Sequence, residues 1–415
     1  SGNLDVNDGT IKLDGNYPTG GDNVAMGDTA LDSIQAGGNC NVAIGHHAGT
    51  AITTGDFNTV VGALALDANT TASSNTALGY AAASATTTGA DNTAVGRSAL
   101  VSNQTGANNV AIGRSALLVS TASNNVAIGK DAMLENTSGA DNVALGLVAL
   151  AANTEGDCNV AIGAGALDAN TTASSNTAMG TNALGANTTG AQNSALGTGA
   201  LAANTTGCRN IAIGYNSLAV NTTGVCNVAL GRASLDANIS GDFNTAVGTS
   251  ALSSNTTADN NTAVGYLSLN ANTTGTANSA VGVNSLLTNT TGLANSAVGL
   301  NALCANTTGD FNTAVGVGAL LANTTADSNT AVGKDSLLAN TTGTNNVAIG
   351  KSALAANTTG GENIAIGNIA LDANTTADSN TAIGRSALSA NTTADSNVAV
   401  GAFSMNDSTT GANNT

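Results

Sequence analysis

Apolar and polar positions recur along the chain with a period of 17 residues. The pattern Asn-x-Ala-[Val/Ile/Leu]-Gly begins at Asn23 and occurs in 23 copies up to Asn397, with one 18-residue and one 16-residue unit near the start. The unit continues as x-x-[Ser/Ala]-Leu-x-Ala-Asn-Thr-Thr-[Gly/Ala]-x-x. Positions are counted 1 to 17 from the first Asn of a unit, and all residues at one position form a column. Self-similarity of this kind predicts a repeat architecture.

The 17-residue unit predicts an all-β fold. Helical-hairpin repeats need about 33 residues or more, and Asn-Thr-Thr-Gly would interrupt a helix in most units. Short β-branched runs between Gly and Asn indicate strands and turns. We therefore expect a parallel β-solenoid with one coil per repeat, strands at positions 2–5 and 8–11, and corners after position 5 and at positions 12–15. At about 4.8 Å per coil, the 23 coils would make a rod about 110 Å long.

The array occupies residues 23–415, and residues 1–22 lie before it. Alternation between Leu4 and Gly15, with an Asp-Gly turn, predicts a β-hairpin-like cap or junction, because a solenoid needs atypical ends to protect its open strand edges. Asn414 begins a further unit, and the chain starts at Ser1 rather than at Met. We therefore expect the chain to be a piece of a longer protein.

Both faces of the first predicted strand are apolar. The Ala of position 3 and the Val, Ile or Leu of position 4 are neighbours, so they point to opposite sides of the sheet. Strands that are apolar on both faces are usually covered on both. One cover is the coil interior, and the other would be a second chain, for which the small Ala and Gly of positions 3 and 5 suit close approach. The pattern thus predicts a homo-oligomer, most simply a trimer.

Composition narrows the class of protein. Only 8% of residues are charged, the chain has no Trp, and the large apolar residues of a thick enzyme core are scarce. The net charge of −17 argues against nucleic acid as a partner, and the apolar runs are too short to span a membrane. His46 and His47 are the only histidines, and no nucleophile-base pair is visible. The sequence therefore predicts a structural protein rather than an enzyme.

Charged residues concentrate in two columns. Seven of the nine basic residues stand at position 6, which predicts a solvated outward corner or, alternatively, a ligand-binding stripe. Acidic residues concentrate at position 16, and in three pairs of adjacent coils they would stack about 4.8 Å apart. Repulsion at that spacing would favour a cation between them, with Ca²⁺ as the candidate, and simple solvation is the alternative. The candidate Ca²⁺ ligands are Asp242, Asp259, Asp310, Asp327, Asp378 and Asp395.

The Asn-Thr-Thr triplet at positions 12–14 occurs 14 times. Stacked Asn and Thr side chains can satisfy backbone groups at a corner. Each triplet is also an N-glycosylation acceptor, and a flat row of Thr could bind ice. The representative residues of this corner ladder or glycosylation site are Asn69, Asn204, Asn306 and Asn391.

Five cysteines are present, and most of them are far apart along the array. Cys208 and Cys226 fall at positions 16 and 17 of adjacent coils, within the Cα separation that a disulfide needs. A disulfide between them is one prediction, and two substituted corner residues are the alternative. The cysteine spacing does not indicate a zinc site.

The repeat resembles the head repeats of YadA-like trimeric autotransporter adhesins, Asn-Ser-Val-Ala-Ile-Gly-x-x-Ser. The matching stretches include Asn108–Ser115 and Asn345–Ser352, and the likeness extends over residues 23–415. Longer Asn-Thr-Ala-Ile-Gly arrays with Asn-Thr-Thr-Gly are also similar to repeats of phage tail-fibre proteins. The resemblance implies a left-handed parallel β-roll, a homotrimer and a place at a cell or virion surface. The 17-residue unit is longer than the adhesin unit, because Asn-Thr-Thr-Gly enlarges one corner.

These features together predict an extracellular, structural fibre segment of a bacterial surface adhesin or filament. Such a segment would be a rigid multivalent rod that attaches to a host-surface, matrix or glycan ligand through many weak contacts. The alternative is a phage tail-fibre shaft involved in host attachment. A third hypothesis, less favoured, is an ice- or glycan-binding solenoid.

Overall fold

A computed structural model describes residues 11–14 and 21–415. The chain divides into two compact units, Ser1–Cys208 (the first unit) and Arg209–Thr415 (the second unit). All regular structure in the described residues is β-strand, and they contain no helix. The all-β prediction is therefore confirmed for this part of the chain.

In the first unit, every repeat contributes one short strand, and a further strand precedes the array. The strands of the first unit are β1 (Ile11–Asp14), β2 (Asn23–Met26), β3 (Val42–Ile44), β4 (Thr59–Val61), β5 (Thr76–Leu78), β6 (Thr93–Val95), β7 (Val110–Ile112), β8 (Val126–Ile128), β9 (Val143–Leu145), β10 (Val160–Ile162), β11 (Thr177–Met179) and β12 (Ser194–Leu196). Strand β1 pairs antiparallel with β2. The Asp-Gly turn of the predicted cap lies outside the described residues.

In the second unit, each strand again occupies positions 2–4 of its repeat. The strands of the second unit are β13 (Ile211–Ile213), β14 (Val228–Leu230), β15 (Thr245–Val247), β16 (Thr262–Val264), β17 (Ser279–Val281), β18 (Ser296–Val298), β19 (Thr313–Val315), β20 (Thr330–Val332), β21 (Val347–Ile349), β22 (Ile364–Ile366), β23 (Thr381–Ile383) and β24 (Val398–Val400).

Successive array strands pair in parallel and in register. In the second unit Val228 pairs with Thr245, and Ala229 pairs with Ala246, one repeat further on. The same one-repeat register joins β2 to β12 in the first unit and β13 to β24 in the second. Each unit is therefore a parallel β-solenoid with one 17-residue coil per regular repeat.

The second strand predicted for each coil, at positions 8–11, is wrong. In the coil that starts at Asn227, Ala233 and Leu235 have positive φ angles of 50° and 52°. Two turns replace the predicted strand. In the first turn Ser234 N donates to Gly231 O at 3.4 Å, and in the second Asn238 N donates to Leu235 O at 3.3 Å. Alternating left-handed residues cannot form an extended strand, and the period of 17 therefore encodes one strand and a chain of turns.

Backbone hydrogen bonds nevertheless continue from coil to coil through this turn region. Leu235 N donates to Ala251 O at 3.0 Å, and Ala237 N donates to Ser253 O at 3.1 Å. Every second N–H therefore reaches the next coil, as it does in a strand. The stacking of coils satisfies the buried backbone groups that the turns would otherwise leave without partners.

The core of each coil is narrow and is built mainly from the columns at positions 3, 8 and 9, of which position 8 is Ala or Ser in most coils. The Ala of position 3 and the Leu of position 9 point inward, and Ala229 and Leu235 are fully buried. The prediction that the Ala and Gly side of the strand would meet a second chain is therefore wrong. The methyl group of Ala fits the small space beside the Leu column, and the larger side chain of position 4 points outward.

Two columns of buried Asn side chains hold the corners together. Asn227 at position 1 and Asn238 at position 12 are fully buried, and both donate from Nδ2 to the carbonyl oxygen of Gly241, at 2.7 and 3.0 Å. Asn238 Nδ2 also donates to Oδ1 of Asn221 in the preceding coil at 2.9 Å. Because buried amides are costly without partners, this shared carbonyl explains why both positions are Asn.

The Gly at position 5 is required by close contact between coils. Gly231 has a φ of +139°, and a Cβ placed on it would lie 2.5 Å from the carbonyl oxygen of Gly248 in the next coil. No side chain fits at that distance. The Gly column therefore ends the strand and lets successive corners stack directly.

Candidate interaction surface

The outward side chains of positions 2 and 4 form an exposed surface on each unit, called here the outer face. Its position 4 column consists of Val, Ile, Leu or Met, for example Leu230, Val298 and Ile349, which are 42, 42 and 39% exposed. Position 2 adds Thr, Ser, Val or Ile. Large apolar side chains that recur in register at the surface indicate an interaction site.

A column of basic side chains follows the outer face directly after the strand, at position 6. This basic edge comprises Arg97, Arg114 and Lys130 in the first unit and Arg232, Lys334, Lys351 and Arg385 in the second. All seven residues are exposed. Lys130 pairs with Asp131 at 3.4 Å and Lys334 with Asp335 at 3.5 Å, and Arg385 lies over the Phe403 ring at 5.4 Å.

Acidic side chains line the opposite side of the outer face, just before the strand, at positions 16 and 17. This acidic edge comprises Asp56, Asp91, Asp141 and Asp157 in the first unit and Asp242, Asp259, Asp310, Asp327, Glu362, Asp378 and Asp395 in the second. None of these residues is buried. The outer face is therefore bordered by positive charge on one side and negative charge on the other.

The six candidate Ca²⁺ ligands have a structural role in the corner. Asp259 Oδ1 accepts a hydrogen bond of 2.7 Å from the backbone N of Asp242 in the preceding coil. The same bond links Asp327 to Asp310 and Asp395 to Asp378, at 2.8 and 2.9 Å. Within the described residues, no group of three or more His, Cys, Asp or Glu side chains is placed to hold a metal.

The Asn of the Asn-Thr-Thr triplet lies inside the coil. Asn69, Asn204, Asn306 and Asn391 are fully buried, and Asn306 Nδ2 donates to Asn289 Oδ1 at 2.8 Å and to Gly309 O at 2.9 Å. The nitrogen that a glycan would occupy is thus engaged in the corner ladder. The following Thr hydroxyl is also used, since Thr307 Oγ1 donates to Thr324 O at 3.0 Å.

Cys208 and Cys226 are both free thiols, and the structure contains no disulfide between them. The three other cysteines are free as well. Cys304 stands at position 10, where burial raises the pKa of its thiol. The alternative of substituted corner residues accounts for Cys208 and Cys226.

Half-buried carboxylates at position 10 were not anticipated from the sequence. Burial raises the pKa of Asp67, Asp168, Asp236 and Asp372 above the usual value of 3.8. Oδ1 atoms of Asp236 and Asp372 are buried without a hydrogen-bond partner. All four residues stand in Leu-Asp-Ala-Asn, a motif that could have identified them. Asp67 borders a shallow groove of about 380 Å³ lined by Leu64, Asp67, Ala68, Ala81, Ser84 and Ala85.

Three Phe residues occupy exposed corners beside the acidic edge. Phe57, Phe243 and Phe311, all at position 17, are 62, 58 and 59% exposed. Their φ angles are 59°, 56° and 59°, a conformation that is strained for a bulky residue. The structure places all three Phe side chains on the exterior of their coils.

Comparison with known proteins adds no assignment. No protein-family model matches the chain, and no curated protein is significantly similar to it. No helix in the described residues is long and apolar enough to cross a membrane.

Proposed function

We propose that the chain is a structural segment of an extracellular fibre, with left-handed coils, which assembles as a homotrimer on a bacterial surface. The observation that carries the proposal is the exposed apolar column at position 4, which recurs in coil after coil of each unit. An enzyme pocket does not need such a surface, whereas an interface between long repetitive chains does. The adhesin-like repeat supports the same assignment.

The mechanism of such a fibre segment is mechanical support combined with multivalent attachment. The continuous backbone ladder and the two Asn columns make each coil hold its neighbours, so that a unit resists bending. An apolar side chain recurs at position 4 of every repeat, and weak contacts to a host-surface, matrix or glycan ligand therefore add up. The chain itself performs no chemical reaction in this proposal.

The first test is the oligomeric state of the full chain. Sedimentation equilibrium should give three times the chain mass of 39.7 kDa. Val281→Asp places a charge in the apolar column and should dissociate the trimer, whereas Thr291→Asp, an exposed corner residue of the same repeat, should not. A folded wild-type monomer at about 100 µM would contradict the proposal.

The second test concerns attachment. The wild-type chain and the Val281→Asp variant are compared for retention on immobilised matrix proteins and on a glycan array. The trimer should be retained about 100-fold more strongly than the variant, because avidity multiplies weak contacts. Equal retention of the two proteins, or no retention of either, would contradict a role in multivalent attachment.

A further inference from the structure

We propose that three consecutive residues of the basic edge bind a linear sulfated polysaccharide that runs along the coils of the first unit. These residues, called here the basic stack, are Arg97, Arg114 and Lys130. This site rests on the proposed attachment role and adds to it the chemical class of a ligand. It is separate from the apolar column at position 4 and does not require a particular number of chains.

The basic stack lies in three adjacent coils that are hydrogen-bonded to one another. Ser115 N donates to the carbonyl oxygen of Arg97, and Asp131 N donates to the carbonyl oxygen of Arg114, each at 3.0 Å. The strands that precede these residues, β6 to β8, pair in parallel and in register. Successive residues of the stack are therefore about 4.8 Å apart along the coils.

The positive charge of the basic stack is largely unpaired. Its first two coils, residues 92–124, contain no Asp or Glu, although the whole chain has 26 acidic residues. Among the described residues, Arg97 and Arg114 have no ion-pair partner, whereas Lys130 pairs with Asp131 at 3.4 Å. Like charges opposite each other on neighbouring strands repel, so an anion bound beside the exposed stack is stabilising.

The guanidinium groups of Arg97 and Arg114 favour an oxyanion as the ligand. A guanidinium is a planar fork that donates two parallel hydrogen bonds to an anion such as phosphate, and a sulfate group offers the same oxygen geometry. One sugar ring of a linear polysaccharide is about as long as one coil step of about 4.8 Å. A polysaccharide that follows the coils therefore brings successive sulfates to successive residues of the basic stack.

An exposed aromatic residue continues the column on one side. Tyr80 stands at position 6 of the coil before Arg97, and Ser98 N donates to the carbonyl oxygen of Tyr80 at 2.9 Å. The Tyr80 side chain is exposed, so its ring offers a flat apolar surface and its hydroxyl offers a hydrogen bond. The C–H face of a sugar ring packs on such a surface, and Tyr80 therefore extends the site by one sugar residue.

The arrangement favours a single polysaccharide chain over a nucleic acid or a membrane. Asp91, Glu135 and Asp141 are exposed in the coils around the basic stack, and a broad anionic surface would meet these carboxylates as well as the basic residues. Single-stranded nucleic acids stack successive bases on aromatic side chains, but Tyr80 is the only Phe, Tyr or Trp between residues 58 and 214. A narrow linear polyanion can follow the stack alone.

The second unit provides a matched control for this site. Arg232 also stands at position 6, one coil after Tyr215, but Thr249 follows it in the column. Arg232 therefore reproduces one step of the site without a neighbouring basic residue. Lys334 and Lys351 are consecutive in the same column, but Lys334 pairs with the Asp that follows it at 3.5 Å, and an ammonium group lacks the fork of a guanidinium.

Binding of a heparin dodecasaccharide to the full chain, measured by isothermal titration calorimetry, tests the site. Arg114→Ala should raise the dissociation constant about tenfold, and adding Arg97→Ala should raise it further, because each change removes a bidentate contact to a charged group. Arg232→Ala should leave the dissociation constant unchanged. The slope of log Kd against log salt concentration should fall by about one for each Arg removed from the basic stack. Circular dichroism and the melting temperature should stay the same in all variants, since these side chains are exposed.

Two further ligands decide the chemical class. Fully desulfated heparin and a single-stranded DNA of similar length should both bind more weakly than heparin, and equal binding of either would overturn the assignment to a sulfated polysaccharide. No binding of heparin, or an equal loss of affinity in Arg114→Ala and Arg232→Ala, would overturn the basic stack as the site. Retention of the chain on matrix proteins without heparin binding would overturn this site alone and leave the proposed attachment role in place.

Discussion

The repeat that starts at Asn75 has a gap in the Asn ladder, and repairing the gap should stabilise it. Position 12 of this repeat is Thr86, whose buried Oγ1 has no hydrogen-bond partner. On one side of the gap, Asn69 Oδ1 accepts from the backbone N of Ala72 at 3.1 Å instead of from a ladder amide. On the other side, Asn103 Nδ2 donates to Gly106 O at 2.8 Å and to no residue of the preceding coil. Thr86→Asn should therefore insert the missing member of the ladder.

The expected stabilisation by Thr86→Asn can be calculated from two adjacent coils in which the Asn ladder is intact. Asn153 Nδ2 donates to Asn136 Oδ1 at 2.7 Å and to Gly156 O at 2.9 Å. The substituted amide would make the same two bonds and accept a third from the next Asn. Three bonds at about 1 kcal/mol each, less about 1 kcal/mol for ordering the longer side chain, give a net gain of about 2 kcal/mol.

Native-state hydrogen exchange is the suitable assay, because it reports the local stability of one coil. The backbone N–H groups of Thr87 and Gly89 donate to Gln104 O and are the reporters. A gain of about 2 kcal/mol should slow their exchange about 30-fold. Amides of a distant repeat should not change, because coils interact mainly with their neighbours.

Thr86→Val is the matched control. It removes the orphaned hydroxyl without adding an amide, and it should give less than half of the effect. If Thr86→Asn slows exchange no more than Thr86→Val, the ladder bonds do not contribute to stability. Faster exchange in Thr86→Asn would show that the coil cannot accommodate the amide.

Three further predictions concern the repeat that starts at Asn227. Gly231→Ala should cost about 3 kcal/mol or more, because its Cβ would clash with Gly248 O at positive φ; an unchanged denaturation midpoint would contradict this. Leu235→Ala should cost about 3 kcal/mol through loss of a fully buried side chain, and exchange of that coil's amides would measure it. Burial raises the pKa of the Asp236 carboxyl, because the folded protein favours the neutral form. The folded protein is therefore more stable at low pH and loses this stability as the pH rises through the raised pKa. Asp236→Asn should therefore raise the melting temperature at pH 7 but not below pH 3.8. Another repeat already has Asn at this position, where Asn270 Nδ2 donates to Ser250 O at 3.0 Å.

The sequence predicted the coil and its stacking because equivalent residues recur at a fixed interval. In-register pairing of Ala229 with Ala246 follows from that period alone. Positions 3 and 4 of the repeat are both apolar, and neighbouring residues of a strand point to opposite faces. The sequence therefore also showed that one apolar side chain must point away from the coil interior. The conformation of the rest of the coil could not be predicted from the sequence, because Leu and Ala at positions 8–11 suit strands and turns equally. The positive φ of Leu235 was not predictable either, because Leu is not a residue type that indicates this conformation.

The candidate surface was only partly predictable. The charged columns at positions 6 and 16 were visible once residues were placed by repeat position, and none of their charged residues is buried, as the residue types suggest. The buried state of the Asn columns was not evident, because Asn is usually exposed. Only the shared carbonyl oxygen, such as Gly241 O, makes burial of two amides favourable.

The amino-acid sequence by itself determined the period, the parallel register and the presence of two apolar strand faces. Tertiary structure decided which face lies inside. The interior beside the Leu column is narrow, so Ala229 points inward and the larger Leu230 points outward. The width of the coil interior decides which side chain points inward. This width depends on residues in several turns of the coil and not on the strand alone. The exposed face between two oppositely charged edges is the consequence.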